Sequence, residues 1–204
     1  MYSCRMAKSP SGTKGVPREE REAQILDIAT EELGMHGYAH TSLTVVAQRA
    51  GISKPLIYMY FDSKDGLYLA CLERAGDQIV EAVTAVQNGV ALTRALDTVA
   101  AIFATLEPRR QDWAVLWDET LPPGSTVREA ALQYRRKLID LGSVGTHELL
   151  AARDNHDDLD ASMMTEIWLN TVTTVVRWWL DHPEQDAATM TARCARLLAA
   201  LQAG

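Results

Sequence analysis

GISKPLIYMYFDSKDGL, Gly51 to Leu67, is the stretch whose reading decides the fold. Pro55 stands two positions after Ser53, the rings of Tyr58, Tyr60 and Phe61 follow, and Lys54 and Lys64 flank them. A proline inside a helix loses a hydrogen bond and clashes with the preceding turn, but in the first turn it has no amide bond to lose. Ser53 is a preferred N-cap residue, so Pro55 marks a helix start. Upstream, Thr41 and Ser42 offer an N-cap for a short helix over Leu43–Ala50, Gly51 breaks it, and Ile52 fills the turn. Downstream, Asp62 or Ser63 opens another helix that carries Leu67, Leu69, Ala70 and Leu72.

Two short helices joined by a tight glycine turn fit a helix-turn-helix, whose second helix enters the major groove of DNA. The residue types suit that placement. Lys54 can donate to guanine O6 or N7, and Pro55 and Leu56 offer apolar contact to thymine methyls. Tyr58 and Tyr60 offer hydroxyls to phosphates, while Ile57 and Phe61 face inward. Lys64 joins its own charge to the free amides and dipole of a helix N-terminus, and both suit a phosphate.

The chain as a whole is acidic. It has 204 residues, a formal charge of −7 and 47% hydrophobic residues, which bounds it to one or two domains with a real core. Residues 1–75 hold nine Lys/Arg and nine Asp/Glu, so the whole acidic excess lies in residues 76–204. Residues 1–18 carry Arg5, Lys8, Lys14 and Arg18 with no acid. This asymmetry predicts a small N-terminal module able to approach a polyanion, attached to an acidic body. No apolar run approaches the ~18 residues of a membrane span. The N-terminus lacks the apolar segment of a secretory signal, so a cytoplasmic location is expected. Cys4, Cys71 and Cys194 lie far apart and read as reduced thiols.

Past a Ser/Gly/Pro/Lys-rich arm over 1–17, apolar spacing predicts a helix from Arg18 to about Met35, ended by the Gly34–Gly37 stretch. After residue 76 the pattern stays helical over Ile79–Gln87, Ala91–Leu106, Gln111–Glu119, Val127–Arg153, Asp160–Asp181 and Glu184–Gln202. No strand pattern of convincing length and no repeat is present.

His36 to Ala70, HGYAHTSLTVVAQRAGISKPLIYMYFDSKDGLYLA, resembles the DNA-binding domain of the TetR family of transcriptional regulators. The matching elements, in order and register, begin with the Gly-Tyr before Thr41-Ser42, Val46-Ala47, and Ala50-Gly51-Ile52-Ser53. Leu56-Ile57-Tyr58, Tyr60-Phe61 and Ser63-Lys64-Asp65-Gly66-Leu67 complete them. The resemblance implies an all-α protein: a flexible basic arm (1–17), a three-helix helix-turn-helix DNA-binding domain (18–64), and a larger helical effector-binding and dimerisation domain (65–204). It implies a homodimer on a palindromic double-stranded operator, a small-molecule effector that releases it, no cofactor and no enzymatic activity. Carried over by position, Thr44, Lys54, Pro55, Leu56 and Tyr58 face DNA, and Ser42, Ser53, Tyr58, Tyr60 and Lys64 contact phosphates. Met59 departs from the family pattern, where this position is often aromatic or basic. The arm reads either as a tail or as a groove reader.

The second part carries fewer signals. The family's dimer seam falls on the last two helices, here Asp160–Asp181 and Glu184–Gln202. Ala187, Met190, Thr191, Cys194, Leu197, Leu198 and Leu201 form a stripe that fits either intrachain core or that seam, and Trp178-Trp179 are expected at the interface. Trp113, Trp117, Tyr134, His147, Met164 and Trp168 are candidates for the effector pocket, with ordinary core as the alternative for each. The acidic body favours a cationic or neutral effector. His147 and His156 show no metal-ligand spacing, and no nucleophile elbow, phosphate-cradling glycine loop or HExxH motif is present, so the enzyme reading finds no support. An activator, or a DNA-binding protein without an effector, remains the alternative function.

Overall fold

The computed structural model describes residues 16–89 and 91–202. Cys4, Arg5, Lys8 and Lys14 of the basic arm lie outside the described residues, as does the Leu201 side chain. The described chain is all-α. Its helices are α1 (Arg18–His40), α2 (Leu43–Arg49), α3 (Lys54–Phe61), α4 (Lys64–Ala85), α5 (Ala91–Leu106), α6 (Asp112–Leu116), α7 (Thr126–Ala151), α8 (Asp158–Leu180) and α9 (Ala187–Gln202). No described helix is long and apolar enough to cross a membrane.

Helix α1 buries Ile25, Leu26, Ala29 and Leu33, the stripe read from the sequence. Its regular part runs to Gly37 rather than to Met35, because Gly37 takes the positive φ of 72°. A last turn then reaches His40. Thr41, expected to cap α2, turns backward instead: its hydroxyl donates to the carbonyls of Gly37 (2.8 Å) and Glu32 (3.2 Å), satisfying the open end of α1. Ser42 and Ser53 occupy the N-cap positions of α2 and α3, yet neither side chain makes a cap bond. Both stay exposed.

The chain turns from α2 to α3 at Gly51, whose φ is 65°. Pro55 sits in the first turn of α3, which buries Ile57 and Phe61 one turn apart. Asp62 then adopts φ 61°, and the Ser63 hydroxyl accepts from the Gly66 amide (2.9 Å) to start α4. A Cβ on Gly66 would lie 1.9 Å from the Phe61 carbonyl oxygen, so this tight junction admits glycine alone.

Helix α4 runs on to Ala85 as one rod, joining the stretch read from Asp62 or Ser63 onward to the one read over Ile79–Gln87. Gly76 lets α7 approach closely: the Tyr134 ring lies where its side chain would be, 2.5 Å from an added Cβ. Helix α4 packs on α1 and α3 at one end and on α5, α6 and α7 along its length. A single apolar core therefore continues from the helix-turn-helix into the rest of the chain.

Helices α5 and α9 pack closely. Ala187, Met190 and Cys194 are buried there, so this part of the α9 stripe is intrachain core, whereas Leu197 is exposed. The expected tryptophan pair at an interface splits. Trp179 is wholly buried, edge-on to Phe103 at 5.0 Å with the Arg110 guanidinium 4.2 Å above it, while Trp178 stays exposed against His182. Adjacent residues lie about 100° apart around a helix, so the two rings meet different surroundings.

Gly66→Ala is expected to lower the unfolding free energy by at least about 2 kcal/mol through backbone collision. Gly51→Ala, where open space surrounds the added Cβ, costs only about 1 kcal/mol for its positive φ. Urea titration of both variants checks the order.

Candidate nucleic-acid interface and ligand cavity

Helix α3, the start of α2 and the head of α4 form one surface. Ser42, Thr44, Ser53, Lys54, Pro55 and Tyr58 are exposed on it, and Leu56, Tyr60 and Lys64 are half-buried. The Lys54 ammonium lies 5.9 Å from the centre of the Tyr58 ring, and the Lys64 ammonium 4.5 Å above Tyr38. Partial burial lowers the Lys64 pKa, with Asp65 and Asp118 acting in the opposite direction. The Tyr38 hydroxyl donates to Asp65, and burial together with this carboxylate raises its pKa to about 12. Ile57 and Phe61 point inward and anchor the helix. Met59 is 75% exposed at the outer edge of α3.

Two arginines change the reading. Arg49, at the end of α2, donates to Glu32 (2.6 Å) and to Glu31, so its charge ties α2 to α1. Arg18, the last residue of the basic N-terminal run and the first of α1, is brought by the fold over the Tyr60 ring at 5.1 Å. The only sequence signal for Arg18 was its lack of acidic neighbours on the N-terminal side.

Helices α4 to α8 enclose a cavity of about 120 Å³. Trp113, Trp117, Met164 and Trp168 line it together with Ile102, Leu138 and Val172. Trp113 and Trp117 stack at 4.2 Å, nearly parallel. Tyr134 and His147 do not line it. The Tyr134 hydroxyl donates to Asp77 (2.7 Å) across the α4–α7 contact, and His147 stays on the exposed side of α7, its Nδ1 2.8 Å from the Ser143 carbonyl oxygen. Sequence reasoning missed Arg94, the charged side chain among the described lining residues. No carboxylate lines the described wall, so the acidity of the body does not reach the cavity.

Comparison with known proteins bears directly on this architecture. The profile of bacterial regulatory proteins of the tetR family matches residues 25–71, from α1 to α4. The transcriptional regulator BetI of Paraburkholderia phymatum is 31% identical over 162 residues, covering 74% of this chain and 81% of that protein. The chain belongs to the TetR family. The transcriptional activator FasR of Mycolicibacterium smegmatis is 28% identical over 173 residues, covering 82% of this chain and 75% of that one. The crystal structure of the regulator FadR from Bacillus subtilis, in complex with stearoyl-CoA, matches the fold with a TM-score of 0.66 at 18% identity, over 86% of this chain and 96% of that one. The protein is thus a TetR-family transcriptional regulator with a DNA-binding helix-turn-helix.

In this TetR-family chain a short segment touches both the cavity and the helix-turn-helix side. Trp113 and Trp117 line the cavity. Between and just beyond them, the Val115 carbonyl accepts from the Tyr68 hydroxyl of α4 (2.7 Å). The buried Asp118 carboxylate accepts from the Tyr38 amide at the end of α1 (2.6 Å), and Thr120 accepts from the Ala39 amide (3.0 Å). Asp118 also accepts from the Thr120 amide and hydroxyl, both at 2.7 Å. These bonds draw the chain out of the helix, which is why α6 stops at Leu116 and not at the expected Glu119. From α7, Arg135 donates to the carbonyls of Leu116 (2.8 Å) and Asp118 (3.0 Å).

Asp118→Ala is expected to cost about 1–3 kcal/mol by leaving the Tyr38 amide without its acceptor. Amide hydrogen exchange at Tyr38 and Ala39 rises more than in the α3 core, which separates a local release from global unfolding.

Proposed function

We propose that the protein is a homodimeric repressor that binds a palindromic operator and is released when a small molecule enters the helical cavity. The observation that carries this reading is the α3 surface. It presents Lys54, Pro55 and Tyr58 outward with no intrachain hydrogen bond recorded for their side chains, over a firmly buried Ile57 and Phe61. Lys54, Pro55, Leu56 and Tyr58 with Thr44 address bases; Ser42, Ser53, Tyr60 and Lys64 address phosphates. The exposed, uncapped hydroxyls of Ser42 and Ser53 support that role, since a helix start offers them amides which they leave open. On this reading residues 18–64 are the DNA-binding unit, and 65–204 bind the effector and the second subunit.

The dimer face is α8. Leu159, Met163 and Ile167 are exposed on three successive turns (81%, 60% and 53%), and Trp178 lies further along the helix. Leu197 of α9 adds to it. Isolated exposed apolar residues are ordinary, but a helical stripe of them marks a contact surface. A second copy is the occupant that a two-fold operator requires.

Release follows from the segment between Trp113 and Thr120. A ligand that displaces Trp117 strains the Asp118 and Thr120 bonds to α1 and the Val115 bond to Tyr68. Half-sites must be met about one helical turn (~34–36 Å) or a multiple apart, so a small shift of α1 and α4 in each subunit disfavours the operator-bound state. FadR, whose structure was solved with stearoyl-CoA, supports the ligand-responsive reading, and the activator FasR favours activation as the second one.

Gel-shift and footprinting on the DNA upstream of the protein's own gene test the proposal. Salt-sensitive preference for a palindrome over random duplex is expected, and its absence sinks the reading. An activator or an effector-independent binder stays on the DNA when ligand is added. Lys54→Ala is expected to cost about 1–3 kcal/mol and to relax specificity at one position in each half-site. Lys64→Ala instead weakens all sequences alike and lowers the salt slope by about 1 per subunit. Ile167→Glu is expected to convert the dimer to monomer by analytical ultracentrifugation, with loss of operator binding and little change in helicity.

A further inference from the structure

We infer that the cavity takes a small apolar molecule with a hydrogen-bond-accepting head, a carbonyl or a carboxylate, and rejects organic cations; its regulatory meaning rests on the reading above. The wall is largely aliphatic and aromatic. Two residues of that wall carry a buried N–H group without a hydrogen-bond partner among the described residues: Nε1 of Trp113 and Nε of Arg94. The other Arg94 nitrogens are engaged, Nη1 with Glu148 (2.6 Å) and Nη2 with the Gly89 carbonyl (3.0 Å), so the guanidinium is held in place while Nε stays open. Indole and guanidinium N–H groups donate and never accept. A buried donor without a partner is unfavourable, and an acceptor on the ligand relieves that cost.

The same wall disfavours a cation. Arg94 is its charged residue, and Glu148, the carboxylate paired with it at 2.6 Å, is not among the described lining residues, so the wall offers a cation no carboxylate of its own. An aromatic cage for a quaternary ammonium needs open ring faces. Here Trp113 and Trp117 cover one another at 4.2 Å and 9°, and the Arg135 guanidinium lies 5.9 Å from the Trp117 ring centre. A volume of about 120 Å³ is of the order of the ~150 Å³ cavity that admits benzene, so the ligand that fits this state is small.

The test titrates the full chain, without DNA, against straight-chain carboxylates, their methyl esters and the matching alkyltrimethylammonium salts, from butyl to decyl. Binding is read by tryptophan fluorescence and calorimetry. Acids and esters of at least one chain length are expected to bind, with the matched ammonium at least about tenfold weaker. Trp113→Phe keeps an aromatic ring and removes the donor. It is expected to weaken acid and ester by about five- to tenfold while leaving the thermal midpoint of the free protein equal or higher. Arg94→Met weakens the acid more than the ester. The inference is overturned if ammonium salts bind as well as acids, if no acid or ester binds, or if both variants keep wild-type affinity. Acids that bind but leave operator binding unchanged would count against the regulatory reading alone; release from the operator by ammonium salts alone would count against the ligand chemistry alone.

Discussion

One buried carboxylate holds the molecule's two ends in register. Asp118 is 6% exposed and accepts from the Tyr38 amide and from both donors of Thr120. Its own carbonyl accepts from Arg135. A charge removed from water is costly unless donors surround it, so this group tolerates one arrangement of its neighbours. Those neighbours are the end of α1, the wall of the cavity and the middle of α7. Tyr68 fastens the same segment to α4. The helix-turn-helix therefore does not hang on a linker; it is bonded to the segment that lines the cavity. The continuous apolar core delivers the same message in packing terms, because close-packed interiors transmit displacement instead of absorbing it.

The acidic balance of the chain is compatible with a DNA-reading end for a local reason. Four carboxylates of the first helices are engaged internally: Glu31 and Glu32 with Arg49, Asp27 with Arg74, and Asp65 with Tyr38. The lysines on α3 and α4 have no such partners. Lys54 lies near the Tyr58 ring and Lys64 lies over the Tyr38 ring, and neither is in an ion pair among the described residues. Exposed charges more than a Debye length apart, about 8–10 Å at physiological salt, are largely screened. The excess acid of the later helices therefore weighs little at the recognition surface.

The helix-turn-helix was legible in the sequence because its determinants are local. A proline two residues after a serine, a glycine between two short apolar periods, and Ser63 before Gly66 are contacts within a few residues of the chain. The family membership rode on the same ordered set. What local reasoning misplaced depends on partners distant in sequence. Thr41 was read forward to α2 and bonds backward to α1. No local signal tells that the ring of Tyr134, distant in the chain, packs against Gly76 of α4. Tyr134 and His147 have the chemistry of pocket residues, yet they face outward from the cavity because of how α7 is rotated against α4 and α8. Arg94, which no sequence motif singles out, sits in the wall.

The sequence by itself determined an all-helical chain, the start of a recognition helix at Lys54 and Pro55, and which side of that helix is buried. Helical period and capping chemistry are properties of neighbouring residues, so they need no tertiary context. Only the tertiary structure decided which tryptophans share a cavity and that Trp179 belongs to the core while Trp178 does not. It also decided that the free donors of Trp113 and Arg94 lie in one wall. Those outcomes depend on helix rotation and on the balance of burial against hydrogen bonding across segments far apart in the chain, and no local pattern encodes that balance.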